Sequence, residues 1–383
     1  MLISTETIGK KGADAIVIGG GVMGCAAAYR LAKEGLSVLL LEKTEICADA
    51  SGRNAGGVRQ SARDVRELPL AMYGVQNIWP ALGEELGVDV EYVREGNLRL
   101  GRTEAHLEKL KALAESSKKV GLDVRMVTGD EAREICPYMS DDVLGASWCP
   151  TDGYANPLHT TIGFYRKALA YGAVAVTGVT VLGLGKAKGR IRYVYTDNGV
   201  YEAGRVLVAA GYASRAIVNT VGIDVPVERE DEEVFVTEQL PPMFDQVLGT
   251  AEADFYGHQT KHGSFLLGGV SGLQHFTSNH DDHPTEAYTA PSLVRGIIRF
   301  FPSFANVKII RCWSGQFDTC VDGVPVISNV EEAPGLTLAF AFTGHGFGIS
   351  PAVSIAVKEL MLDGASTSID ISGLRYDRFK AKQ

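Results

Sequence analysis

The stretch "AIVIGGGVMGCAAAYRLAKEG", Ala15 to Gly35, decides the fold. Its first residues form an apolar, β-branched run bounded by glycine, which suits a strand buried on both faces of a parallel sheet. Gly19, Gly21 and Gly24 follow as G-x-G-x-x-G. The alanine-rich continuation keeps its apolar residues on one face and predicts a helix, with Gly35 supplying a left-handed cap. A second apolar run, "SVLLLEK", ends at Glu42 and Lys43. Small-residue packing is the competing explanation for the glycines; the second strand and the acid after it weigh against it. In a dinucleotide site the first glycine permits the tight turn. The second clears the way for a pyrophosphate to reach backbone N–H groups, here those around Val22 and Met23. The third lets the helix lie close on the strands. The helix N-terminus faces the phosphates, and Glu42, about 20 residues beyond the glycines, accepts both ribose hydroxyls. A carboxylate at this point disfavours a 2′-phosphate, so NADP is set aside and FAD or NAD remain.

Composition narrows the class. A chain of 383 residues exceeds what one core usually supports and predicts two domains. Hydrophobic residues at 45% and charged residues at 22% are an ordinary globular mixture. A net charge of −9, with no basic block, argues against a nucleic-acid partner. The six cysteines show neither CxxC spacing nor a Cys/His pattern, so no disulfide framework and no metal site are expected, and a cytoplasmic location is. No apolar run reaches ~18 residues, so no transmembrane segment is predicted. Lys10 and Lys11 before an apolar run imitate a secretory leader, but glycines break the run and it continues into a charged helix.

The loop after Glu42, "ICADASGRNAGGVRQ" (Ile46–Gln60), is small, polar and rich in glycine and arginine. A bare solvated connection is the bland reading. Near the other end, "LTLAFAFTGHGFGISPAVSIAVKELMLDG" reads as a strand from Leu336 to Phe342, a glycine turn and a helix with Ser350 as N-cap, Pro351 in its first turn and Gly364 at its end. The two glycine elements, most of the chain apart, resemble the D-amino-acid-oxidase-like superfamily of FAD enzymes, the sarcosine and glycine oxidase type. The likeness runs from about residue 13 to 375. It is nearest to the catalytic-subunit type of dye-linked L-proline dehydrogenase, through "ASWCPTDG" (Ala146–Gly153), "QTKHG" (Gln259–Gly263) and the "PAV" at Pro351. No second G-x-G-x-x-G follows a strand, which disfavours two-dinucleotide reductases.

The resemblance implies an α/β fold: a Rossmann-like FAD-binding domain (1–84, 151–221, 321–383) carrying an inserted antiparallel-sheet substrate domain (85–150, 222–320). It implies that Ser51, Arg53, Asn54, Ala55, Gly56 and Gly57 follow the cofactor, that Val181 meets the adenine, and that Ala210 and Gly211 pass close to it. It places Gly344, His345, Gly346, Phe347, Gly348 and Ile349 at the flavin, where a helix N-terminus favours the negative charge a reduced flavin gains. A helix from His159 to Gly172 is expected between the two. For the substrate, Arg59 is the first choice to hold a carboxylate and Arg311 the second. Tyr256 and His258, on one face of a roof strand with Thr260, line the pocket, and Trp313 and Phe317 supply apolar walls. The lysine that promotes reaction with oxygen has no counterpart within Phe265–Leu267. Gly315 stands where a flavin-linking cysteine would be. Both imply a dehydrogenase with non-covalent FAD.

The function so implied is oxidation of an amino acid or secondary amine of the proline, hydroxyproline, sarcosine or glycine type. Hydride passes from the α-carbon to flavin N5, and other subunits or an electron acceptor are possible partners. The rivals are an oxygen-using oxidase of the same fold, a 2-hydroxy-acid dehydrogenase, and a non-catalytic flavin-bearing subunit.

Overall fold

The computed structural model describes residues 12–252, 255–269, 285 and 287–380, so Lys10 and Lys11 lie outside the described residues. The opening stretch folds as strand β1 (Gly12–Ile18), helix α1 (Val22–Lys33) and strand β2 (Val38–Leu41). β1 pairs in parallel with β2 on one side and with strand Gly199–Val208 on the other. Beyond these lie Val174–Val176 next to β2, and Leu336–Phe340 then Val326–Asn329 next to Gly199–Val208. All these neighbours are parallel except the last pair. The chain runs from β1 to β2 on one side and pairs β1 with a distant strand on the other. The carboxyl end of β1 is therefore a switch point, where a crevice opens.

Burial on both faces explains why β1 and β2 do not alternate. Ala15, Val17 and Leu40 join a core with α1 and with helices Pro157–Ala170 and Ser350–Asp363. Ile16, Ile18, Leu39 and Leu41 join the opposite core, under the antiparallel ribbon of Val181–Ala187 and Arg190–Thr196. Helix ends follow local chemistry. Gly35, at φ 85°, follows the last turn of α1, and Gly364, at φ 84°, caps the Ser350–Asp363 helix.

Three expectations about boundaries need correction. Asn156 accepts N–H bonds from Leu158 and His159, so the helix starts at Pro157 rather than His159 and ends at Ala170. Ser350 is not an N-cap. A 3-10 turn, Phe347–Ile349, already precedes the helix, and the Ser350 hydroxyl donates back to Phe347 O. The closing strand stops at Phe340, because Ala341 and Thr343 turn left-handed.

The second sheet runs Ile309–Cys320, Val227–Gln239, Ser264–Gly269, Tyr256–Gln259, Val247–Thr250, Asn97–Gly101, Gly145–Cys149, Arg125–Thr128. It is antiparallel except where Val247–Thr250 meets Asn97–Gly101 in parallel. That pair joins segments far apart in sequence, so no hairpin turn dictates their direction. One face buries Phe235, Phe265 and Leu267 with Phe255, Phe300, Phe301 and Phe304. The other carries Val234, Tyr256 and Phe317 over the carboxyl ends of the first sheet, where all three line the crevice.

Two buried pins hold these elements, one at the second sheet's strand Asn97–Gly101 and one in the first sheet's helical layer. Asp152 accepts bonds from Gln60 N (2.6 Å), Ser61 N (3.2 Å), the Ser61 hydroxyl and Asn97 Nδ2 (3.3 Å). Trp79 donates from Nε1 to Gly348 O at 2.8 Å, inside the turn before the last long helix. Replacing Trp79 with phenylalanine keeps most of the packing but leaves that carbonyl buried without its donor. The expected cost is about 1–3 kcal/mol, read as a lower urea midpoint at unchanged slope. An unchanged midpoint would mean that the carbonyl finds another donor.

Candidate functional site

A cavity of about 580 Å³ opens at the switch point, between the two sheets. Gly19 sits at φ 112°, and a Cβ there would stand 2.4 Å from Ala209 O. A Cβ on Gly24 would stand 1.9 Å from Gly19 O. These two glycines are thus required by the turn and by helix packing. A Cβ on Gly21 would meet the Ser51 hydroxyl at 2.9 Å, and that hydroxyl accepts from Val22 N at 2.9 Å. Gly21 has no side chain to cap α1, and Gly21, Val22 and Met23 line the cavity, so the helix N-terminal pole is turned to it.

At one end Glu42 stands beside Val179, Thr180 and Val181. Its Oε2 accepts from Gly20 N at 2.6 Å and its Oε1 from Thr44 N at 2.8 Å, which fixes the carboxylate and leaves lone pairs for further donors. Along the wall lie Gly19, Gly21, Val22, Met23 and Lys43, with Ser51, Arg53 and Asn54 from the polar loop and Ala210 and Gly211 opposite. Arg53 staples the loop to the roof, donating to Ala48 O (2.8 Å) and Ser314 O (3.0 Å), while Trp313 Nε1 donates to Arg53 O (2.9 Å). At the other end are Gly344, Gly346 and Phe347, with Phe317 and Tyr256 above.

Other expected residues stand behind this wall. Ala55 and Gly56 are buried, and Gly57 pairs with Tyr154. Gly348 packs on that loop: a Cβ there would stand 2.9 Å from Gly57 O. Ile349 is wholly buried in the core beside α1. His345 does not line the cavity. Its Nδ1 lies 2.9 Å from Arg63 Nη1 and 3.2 Å from Glu67 Oε2, and its carbonyl accepts from Arg63 Nη2 at 2.7 Å. Burial lowers the pKa of His345 and holds the ring neutral, against the pull of Glu67. Burial alone would raise Glu67, but its bond to His345 and the Arg63 charge outweigh that and hold it ionised.

The substrate-side choices separate. Tyr256 lines the cavity. His258 shares its face but sits two residues further on, stacked on Tyr154 at 3.7 Å and buried without a bond at Nδ1. Burial lowers its pKa to about 3. His258 is therefore neutral and packed on Tyr154, and neither of the two lines the cavity. Arg59, at the end of the polar loop, is half-buried and is not among the residues that line the cavity; its side chain donates to Ser61 O at 3.3 Å and its backbone oxygen is held by Arg63 Nε at 2.7 Å. Its charge acts on Tyr256. Arg311 is exposed, over the Trp313 ring, and takes no part.

Three residues went unnoticed in the sequence. Asp318 lines the cavity and accepts N–H bonds from Ala341 and Phe342, holding the strained turn at the strand end. Burial raises its pKa to about 6. Glu232 lines the cavity beside Tyr256. Arg99 shares the Tyr256 face across Gly249, with its Nε unbonded and burial pulling its pKa down to about 9. None sits in a recognisable motif.

The cavity suits a dinucleotide with a redox ring: an acid at one end, a glycine cradle with a helix pole at the middle, and a second helix pole at the far end. All six cysteines are free thiols. No group of three or more metal-ligating side chains occurs among the described residues, and no helix there is long and apolar enough to cross a membrane.

Comparison with known proteins agrees with this geometry. The β subunit of sarcosine oxidase from Arthrobacter sp is 28% identical, over 84% of this chain and 80% of its own. Glycine oxidase of Bacillus subtilis (strain 168) is 26% identical, over 98% of this chain and 100% of its own. The crystal structure of L-proline dehydrogenase from P. horikoshii superposes with a TM-score of 0.89 at 27% identity, covering 97% of this chain and 98% of that one. The family model described as "FAD dependent oxidoreductase" (DAO) matches residues 14–360. With a match over most of its length and a cradle built for that cofactor, the chain belongs to the DAO family of FAD-dependent oxidoreductases.

Proposed function

We propose that this chain oxidises an amino acid or secondary amine, of the proline, hydroxyproline, sarcosine or glycine type, at its α-carbon. The observation that carries this reading is the far end of the cavity. Tyr256 and Glu232 line the same cavity as Gly344, Gly346 and Phe347, and the Arg59 charge acts on both. Relatives named for sarcosine and glycine oxidation support the substrate class. FAD, when bound, supplies the redox chemistry by accepting a hydride at N5. The protein's residues bind, orient and exclude water. Glu42, the β1–α1 turn and Ser51 would hold the cofactor's ribose and pyrophosphate. The pole before Phe347 favours negative charge on the ring. Arg59 holds the substrate carboxylate, and Phe317 and Val234 keep the site apolar.

The flavin is held without a covalent bond. Cys312 and Cys320 alternate onto the strand face opposite Gly315, and Cys47 donates its N–H to Gly20 O, near the Glu42 end. No lysine lies within Phe265–Leu267 on the roof strand, which supports an acceptor other than oxygen. Relatives named as subunits support a partner that carries electrons onward. The test is turnover of proline, sarcosine and glycine with an artificial dye and, separately, with oxygen. Dye reduction with little peroxide is expected. Stoichiometric peroxide would make the chain an oxidase, and no turnover with either acceptor would favour a non-catalytic flavin subunit.

A further inference from the structure

Glu232 stands at the substrate end of the cavity without a task in the account above. Its strand pairs antiparallel with Ile309–Cys320, Glu232 opposite Gly315. Opposed residues share a face. A Cβ on Gly315 would stand 3.1 Å from Arg53 Cβ, so this face looks down on the polar loop. Tyr256 reaches Glu232 across a second missing side chain. Gly268 lies between Tyr256 and Val234, and a Cβ there would stand 2.9 Å from the Tyr256 hydroxyl. The Tyr256 phenol hydrogen-bonds the Glu232 carboxylate, and the Arg59 charge acts on both. Two glycines thus clear a patch of roof in which one carboxylate meets one phenol, within reach of the Arg59 charge.

That patch has the polarity of an amino acid. In neutral water the substrate nitrogen is an ammonium without a lone pair, and α-carbon oxidation needs the neutral amine. We propose that Glu232 receives the substrate's ammonium group and takes its proton, while Arg59 holds the carboxylate. This rests on the amine reading above. The N–H bond breaks, the electron pair stays on nitrogen, and an O–H bond forms on Glu232; the proton passes to solvent when product leaves. Burial raises the carboxyl to about 7, and Glu230 on the same strand pushes the same way; the Tyr256 bond and the Arg59 charge oppose them. Arg53, below Gly315, is engaged by Ala48 O and Ser314 O. A base that titrates near the working pH is suited to proton transfer.

The test uses the holoenzyme with L-proline and sarcosine. In the wild type, kcat/KM is expected to rise about tenfold per pH unit up to about 7 and then level, because only ionised Glu232 accepts a proton. Glu232→Gln, nearly isosteric, is expected to lose about 10²–10⁴-fold at neutral pH. It regains activity only as pH approaches the amine's own pKa. Glu232→Asp keeps the limb near pH 7 at a lower rate. Tetrahydro-2-furoate, which has an oxygen in place of the proline nitrogen, reports binding through the flavin spectrum without turnover. Its affinity for the wild type is expected to fall at least about tenfold as Glu232 ionises, and that for Glu232→Gln to stay flat. Unchanged rates in Glu232→Gln, a limb that survives in it, or furoate binding to wild type that ignores pH would each overturn the proposal. If no amine reduces the wild type, the amine reading itself fails.

Discussion

Gly24→Ala is expected to yield protein that retains almost no FAD. The added methyl would stand 1.9 Å from Gly19 O, a backbone atom that cannot rotate away. Gly19 cannot retreat, because its own Cα faces Ala209 O. Helix α1 must therefore lift from β1, and its N-terminal pole with it. Overpacking against backbone costs upward of about 3 kcal/mol, which is about 100-fold in affinity. The bound flavin per chain after gel filtration is the readout. Gly296→Ala is the control. It lies inside helix Thr289–Phe300 with nothing within 4 Å of its added methyl, and should gain about 0.5–1 kcal/mol and keep its flavin. Full flavin content in Gly24→Ala would mean that the helix does not need this contact.

The second large effect falls on Arg59. Arg59→Ala should cost about 10²–10³-fold in kcat/KM for proline, since truncating one partner of a hydrogen-bonded charge pair costs about 2–5 kcal/mol. Pyrrolidine, which lacks the carboxylate, should change by no more than about threefold. Arg59→Lys keeps the charge and loses the planar fork, and should fall between. The comparison of the two substrates matters because Arg59 also bonds Ser61 O. Equal losses with proline and pyrrolidine would assign Arg59 to loop geometry instead of carboxylate binding.

What the sequence reveals follows from how local each signal is. The turn from β1 to α1 and Glu42 are legible because strand, glycines, helix and acid lie within thirty residues, each forced by backbone geometry. The Thr343–Phe347 turn is legible for the same reason. Glu232 is hidden in "VEREDEEVFV", where a run of acids reads as a solvated edge. Only the pairing of Glu232 with Gly315 turns it inward, and no short-range pattern records that pairing. His258 shows the limit of alternation. Period two gives the correct face, but position along the strand decides whether that face meets the cavity or the Tyr154 ring. Arg99 is a lone charge in an apolar strand, and its nearness to the site depends on the parallel pairing of Asn97–Gly101 with Val247–Thr250. His345 reads as a cofactor contact because its glycine neighbours are; its ring turns instead to Arg63 and Glu67, two residues in an unremarkable stretch.

The central claim is that an amine gives up a hydride in this cavity. Its most direct test is to mix the purified flavoprotein with L-proline or sarcosine in the absence of oxygen and follow the visible absorption of the oxidised flavin. Bleaching at a saturating, substrate-dependent rate, reversed by an added dye, is the predicted result. A flavin that stays oxidised with every amine and amino acid tried would contradict the account while leaving the fold and cofactor cradle intact.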